Sequence, residues 1–535
     1  MKKLYYNGNI ITMVKEGECV DALLTEGARI KETGNYDDIL KRNEDVQVVD
    51  LHGGTLMPAF IDGHSHFLMA MQIGMMADLS DCNSFDDIVS TMRDFIKKRN
   101  ITEKGVALGW GYDHNFLPGE RHPDKDVLDQ VSEQIPVCVI HTSGHMGSVN
   151  SVMLRLAEMT AETADPAGGK IGRVKGTSEP DGYLEEQALF RGMGKIAERL
   201  SADVKLPVET AEKAYLENGV TTVQEGGATA QSVETLLAFD RMKQLHVDVV
   251  AYPLAEENAR EIIRKFPEYN GKYEGHVKIG GYKIILDGSP QGKSAWLTKP
   301  YKNCGEYCGY PKYADDKVMG WLEEAMEDGV QVLAHCNGDA AGDQFLRCYE
   351  NVCGKHPAAK RKDLRPVMIH CQTARKDQLE KMAVLRMIAS IFIGHVYFWG
   401  DVHRKNLGDD RGNNISPCRW ALDAGVAVNL HQDMPVTRPD MLHSIWCAVN
   451  RISRSGEVVG EKQKISVYEA FRAASYGGAY AYHEEEEEKG TLETWKRADM
   501  IILDRNPFLV DPSEIKDIKV VETIKDGVSV YREGE

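Results

Sequence analysis

From residue 205 onward the chain alternates between two hydrophobic patterns. Stretches with apolar residues three and four positions apart, the spacing of one helix face, alternate with short unbroken apolar runs. The helical pattern occupies 208–217, 232–245, 258–266, 317–328, 339–350, 375–385 and 418–423. The runs that follow are 220–224, 247–252, 277–286, 331–334, 367–369, 388–393 and 426–430. Runs without polar alternation suit strands buried on both faces, and repeated helix-then-strand units specify parallel βαβ structure. The run that stops at Asp62-Gly63-His64 brings the strands to eight, the number that closes a barrel. The expected fold is therefore α/β: a (β/α)8 TIM-like barrel over 57–484.

The two ends of the chain have another texture. Short strand-like runs at 4–6, 9–13, 20–25, 29–33 and 46–51 are matched at the far end by 498–503, 518–524 and 528–531. Asn7-Gly8 and Asp526-Gly527 are expected as hairpin turns. Residues 1–56 with 485–535 are expected to build a small β-sandwich domain from both termini, since chain ends often lie close together. Residues 68–205 are expected as an insertion covering the site. It holds a helix over 84–98 capped by Ser84, with Asp87 at the capping-box position, and strands at 106–108 and 137–140. The Gly/Pro-rich stretch 165–182 is expected as loop, and the glutamate run 484–488 as a solvated link with no chemical role. The absence of any short fixed repeat argues against a solenoid.

Composition narrows the function. The formal net charge of −18 and the lack of a Lys/Arg-rich tract exclude nucleic acid and anionic membrane as expected partners. No apolar run of membrane-spanning length occurs, and Asn7-Gly8-Asn9 interrupts any leader-like core. Eleven cysteines form no framework, so reduced thiols and a cytoplasmic location are expected. A small-molecule substrate remains the expected partner; self-association is left open.

The chemistry lies at the strand ends. With 17 histidines, one His-x-His pair arises by chance about half the time. His64 and His66, however, end a strand, where residues two apart share a face. Later strands carry Lys283 or end at His335, His370 and Asp433. In parallel barrels the C-terminal strand ends carry the chemistry.

This ordered set resembles the metal-dependent amidohydrolase superfamily, in its N-substituted formamide deformylase-like branch. Asp62-Gly63-His64-Ser65-His66, Ser143-Gly144-His145, Tyr183-Leu184-Glu185-Glu186 and Lys283 with Asp287-Gly288-Ser289 carry the resemblance. So do His335 with Gly338-Asp339-Ala340-Ala341, and Lys489-Gly490-Thr491-Leu492 before Ala498-Asp499. His431-Gln432 stands where that family usually has Gly-Ser, and Cys336 and Cys371 follow two of the histidines.

The resemblance implies that His64, His66, Lys283, His335, His370 and Asp433 bind one or two divalent metals, zinc foremost. It implies hydrolysis of a non-peptide C–N bond, with Asp433 as general base and then acid, and a carbamate on Lys283. The other reading of Lys283 is an ammonium paired with Asp287 or Glu186. Trp110, His145 and Glu186 are the expected substrate contacts, while His141, His395, His403 and His443 are expected to be structural. An ester hydrolase or isomerase on the same metal barrel, or a non-catalytic regulatory or scaffold protein, are the alternatives, because fold alone does not fix a reaction.

Overall fold

The computed structural model describes residues 1–166, 168–199, 207–356 and 362–534. Residues 200–205 of the expected insertion, parts of the expected barrel range (206 and 357–361), and residue 535 lie outside the described set. The chain divides into two compact units, Met1–Leu68 with Val208–Glu535, and Met69–Pro207. Among the described residues no helix is long and apolar enough to cross a membrane.

The larger unit contains two parallel sheets. One has the spatial order Val277–Ile279, Asp248–Pro253, Val220–Ala228, Phe60–Ile61. The other runs Gly281–Ile285, Gln331–Cys336, Val367–His370, Ile388–Ile391, Ala427–Leu430. Their residues are almost all buried, as the unbroken apolar runs require. Helices precede them as the pattern predicts. Asp315–Asp328, for example, stops at Gly329 in the left-handed region (φ 70°), and two residues later Gln331–Cys336 begins.

Both chain ends contribute to one further sheet, and the N-terminal end alone builds another. Val528–Arg532, Val520–Lys525 and Met500–Leu503 continue into Thr55–Pro58, Asn9–Ile11 and Cys19–Val20 in one sheet. The other orders Arg29–Gly34, Ala22–Glu26, Lys2–Tyr6 and Val46–Asp50. Tyr5, Leu23 and Ile30 share one apolar core with Ile10, Leu56, Met500 and Ile524. Asp526-Gly527 makes the expected hairpin, with both residues at positive φ. Asn7-Gly8 does not. Lys2–Tyr6 and Asn9–Ile11 belong to different sheets, so this turn passes the chain from one layer to the other.

The glutamate run also departs from expectation. Glu484 and Glu485 are buried. Glu484 pairs with Lys278 and, at 3.1 Å, with Lys489, and Glu485 meets Arg365 at 2.8 Å. Lys489 reaches Asp248 at 2.6 Å, and Lys525 bridges Asp248 (3.1 Å) and Asp499 (3.2 Å). Glu484 and Glu485 are anchors whose burial without these partners would be prohibitive, while Glu486 and Glu487 stay exposed as expected.

The unit Met69–Pro207 is built on one six-stranded sheet, ordered Gly169–Arg173, Pro180–Glu186, Met146–Val149, Val137–His141, Ala107–Tyr112, Ala77–Asp78. Period-two alternation sends Leu108, Trp110, Cys138 and Ile140 to one core, and Ala107, Val137 and Val139 to another. Ser84 caps the helix Phe85–Arg99 as expected, but Asp87 accepts from the Asn83 N–H, one residue before the cap. The stretch expected as loop holds a hairpin instead: Gly169–Arg173 pairs antiparallel with Pro180–Glu186.

Candidate metal centre

His64 and His66 follow the strand Phe60–Ile61, outside its ladder, and both turn Nε2 toward Asp433 Oδ1. His64 Nδ1 faces the Oε1 of Gln224, whose Nε2 donates to Gly63 O (3.2 Å) and Tyr482 Oη (3.0 Å). An amide oxygen held in this way fixes the proton on Nδ1 and leaves the Nε2 lone pair directed inward. That Nε2 lies 3.0 Å from Lys283 Nζ and 3.6 Å from Asp433 Oδ1. His66 Nε2 is 3.5 Å from the same oxygen. Gly226 makes the room: a Cβ there would overlap the His64 ring.

A second pair of donors sits at the ends of Gln331–Cys336 and Val367–His370. His335 Nε2 lies 3.3 Å from Gly288 O, which leaves Nδ1 to face His370 Nε2 at 3.1 Å. On its other side His370 Nδ1 is 3.1 Å from His431 Nε2, and His431 Nδ1 is 2.9 Å from Ser390 Oγ. His370 (φ 70°) and Asp433 (φ 55°) occupy the left-handed region, which non-glycine residues enter at a cost usually associated with functional positions.

Electrostatics agree with ligation. Burial, reinforced by Lys283 beside His64 and by His335 beside His370, holds both imidazoles well below their ordinary pKa. Burial lowers His431 to about 3. These rings are neutral at physiological pH and can donate lone pairs. Burial lowers the Lys283 ammonium to about 7. Asp287 is occupied elsewhere, accepting from the N–H groups of Trp296 (3.0 Å), Asn337 (3.0 Å) and Gly338 (2.7 Å).

Asp433 Oδ1 tests whether a cation fits. It is buried, makes no well-formed hydrogen bond, and points between two imidazole nitrogens. The ligand atoms of His64, His66 and Asp433 lie within 4.8 Å of one another. Two imidazoles and a carboxylate are a divalent-metal donor set.

A model of the amidohydrolase family matches residues 47–531. The chain belongs to the amidohydrolase family. Its membership makes it a metal-dependent hydrolase acting on carbon–nitrogen bonds other than peptide bonds. This amidohydrolase is 27% identical to the N-substituted formamide deformylase of Arthrobacter pascens, over 98% of its own length and 97% of the relative's. Among solved structures, an uncharacterized metal-dependent hydrolase from Pyrococcus horikoshii OT3 superposes with a TM-score of 0.75 at 22% identity, covering 96% of this chain and 99% of that one. Another from Pyrococcus furiosus gives 0.73 at 25%, covering 95% and 100%.

Of the residues singled out in the amidohydrolase sequence, His64, His66, Lys283, His335, His370 and Asp433 come together in the larger unit. Trp110, His145 and Glu186 belong to the other unit. There His145 Nδ1 pairs with Glu186 Oε1 at 2.9 Å, and Trp110 is buried in an apolar core. Gln224 and His431 were missed as ring-orienting groups. Gln224 stands at the end of an apolar run, and His431 directly follows one, so their place in the pattern carried the signal.

Proposed function

We propose that the two parallel sheets are arcs of one closed (β/α)8 barrel, and that the chain cleaves a small non-peptide amide, with N-substituted formamides as the first substrate class to try. Two contacts support closure. Leu254 bridges Lys283 in parallel at one junction, and Gly63 N donates to Leu430 O at 3.2 Å at the other. The substrate class is supported by the full-length similarity to the deformylase.

The observation that carries the reading is the buried Asp433 Oδ1 between His64 Nε2 and His66 Nε2. His64, His66, Lys283, His335, His370 and Asp433 would hold one or two zinc ions, whose preference is for nitrogen and oxygen donors. When bound, such an ion supplies hydroxide at neutral pH, by lowering the pKa of water from about 16 to about 7, and polarises the scissile carbonyl. With Oδ1 turned to the cation, Asp433 would accept the proton of the attacking water on Oδ2 and deliver it to the departing amine nitrogen. Gln224 and His431 keep the imidazole lone pairs directed inward while this happens. Lys283, neutral in part near pH 7 because burial lowers it, adds to carbon dioxide. A nitrogen–carbon bond forms, one proton leaves, and a repelling cation becomes an anionic oxygen donor.

The test is a panel of N-formyl and N-acyl amines set beside matching esters, with the zinc-reconstituted chain and detection of released amine. Amine release abolished by chelation and restored by zinc is expected. Ester-only turnover, or a purified chain with no affinity for zinc, would overturn the reading.

A further inference from the structure

The unit Met69–Pro207 contains its own convergence of side chains able to ligate a metal. Asp113 and His114 directly follow the strand Ala107–Tyr112, and His141 closes its parallel neighbour Val137–His141. Tyr112 and His141 are partners in register, so the three residues meet at the C-terminal ends of two adjacent strands. His114 Nδ1 lies 3.1 Å from His141 Nε2, and that nitrogen 3.4 Å from Asp113 Oδ1. The third edge, His114 Nδ1 to Asp113 Oδ1, is 3.8 Å. Ligand atoms about 2.1 Å from a tetrahedral zinc are about 3.4 Å apart, so one ion can touch all three with little movement.

We propose that Asp113, His114 and His141 form a second divalent-cation site of the zinc class, with at least one coordination position left for water. Two imidazoles and one carboxylate favour zinc and its neighbours over magnesium or calcium, which take oxygen ligands. The surroundings are built as supports for ligands. The His114 ring stacks on His122 (4.2 Å, 18°), and His122 Nδ1 is 2.9 Å from Tyr112 Oη. Asn115 donates to Asp113 Oδ1 from its backbone N–H (2.9 Å) and its Nδ2 (2.8 Å). His141 is fully buried, whereas the Asp113 and His114 side chains retain 9% and 16% exposure, which gives an ion a way in.

The competing arrangement is a metal-free Asp113–His141 pair. Ser143 is compatible with both, because it can serve either tautomer of His141. Its N–H, 3.0 Å from His141 Nδ1, donates when the proton sits on Nε2 and faces Asp113. Its Oγ, at 2.9 Å, accepts when the proton sits on Nδ1 and the Nε2 lone pair is free for a cation. Cation binding selects the second form.

Zinc titration of the full chain against a chromogenic chelator tests the site, comparing His64→Asn/His66→Asn with the same double variant carrying His114→Gln. The expected result is one zinc equivalent fewer in the triple variant, with loss of one step of zinc-induced thermal stabilisation and an unchanged metal-free melting temperature. Equal stoichiometry and affinity in the two proteins overturn the site, whatever the centre at Asp433 does. Ser143→Ala gives a second measurement should His114→Gln not fold: zinc binding here weakens roughly 10- to 100-fold, and unchanged affinity overturns the proposal.

Discussion

His370 Nδ1 lies 3.1 Å from His431 Nε2, which joins the His370 imidazole to a ring that Ser390 in turn holds at 2.9 Å. This is the position at which the chain departs from the Gly-Ser of its resemblance. With His431 Nε2 as acceptor, the His370 proton stays on Nδ1 and its Nε2 lone pair stays beside His335. His431→Phe removes the acceptor while keeping a flat ring. Metal affinity is then expected to fall roughly 10- to 100-fold, read by chelator competition. His431→Gln, which can present Oε1, should recover part of the loss; full affinity in His431→Phe would show that the ring only fills space.

Gly226 sets how closely the strand Val220–Ala228 approaches the His64 ring. Gly226→Ala puts a methyl group into that ring. Overpacking of this kind costs about 1–3 kcal/mol. Because the displaced group is a proposed ligand, metal content should fall more sharply than stability does. Metal analysis beside urea unfolding checks this, and a variant with full metal content and normal stability would mean that the strand yields instead.

The convergence of these side chains was legible because candidate ligands at strand ends announce themselves twice, once by residue type and once by following an apolar run. His64, His335, His370 and Asp433 all have that signature. The alternation of helix and buried strand was legible for the same reason, since both periods are written into burial. What escaped was whatever depends on a partner distant in sequence. Asn7-Gly8 signals a tight turn, but the residues alone do not say whether the next strand returns to the same sheet. A glutamate run looks solvated until Lys278, Lys489 and Arg365, from other parts of the chain, are brought against it. His114 and His141 lie on neighbouring strands, and only the register of Tyr112 with His141 brings their rings together.

Lys489 is the hinge of the buried charge network, touching Asp248 at 2.6 Å and Glu484 at 3.1 Å with 2% of its side chain exposed. Lys489→Met keeps the volume and takes one cation from each of two buried carboxylates, leaving Lys525 beside Asp248 and Lys278 beside Glu484. Breaking one partner out of a buried pair costs about 3–5 kcal/mol, and unfolding by urea should show a loss of that order. A loss under about 1 kcal/mol, the range of exposed ion pairs, would mean that Lys278 and Lys525 compensate in full.

The same network sets a pH profile. Burial opposes ionisation of Asp248 and Glu484, but Lys489 and Lys525 beside Asp248, and Lys278 and Lys489 beside Glu484, hold both carboxyls below their ordinary pKa. Carboxyls lowered in the folded state contribute stability that is full above the unfolded value of about 4 and disappears as pH falls through the folded values. His276 has the opposite sign. Its hydrogen bond to Asp248 raises it, so its contribution is full below about 6.5 and is lost as pH rises through the folded value. Asp499 is raised by burial and also favours the acid side, which blunts the acid loss. Stability measured in urea is therefore expected to peak near pH 5–6, by about a unit either way, and to decline in both directions. Lys489→Met removes the cation that lowers both carboxyls, so its acid decline should begin at higher pH than that of the wild type. Two profiles that run parallel down to acid unfolding would show that Lys489 is not what keeps these carboxylates charged.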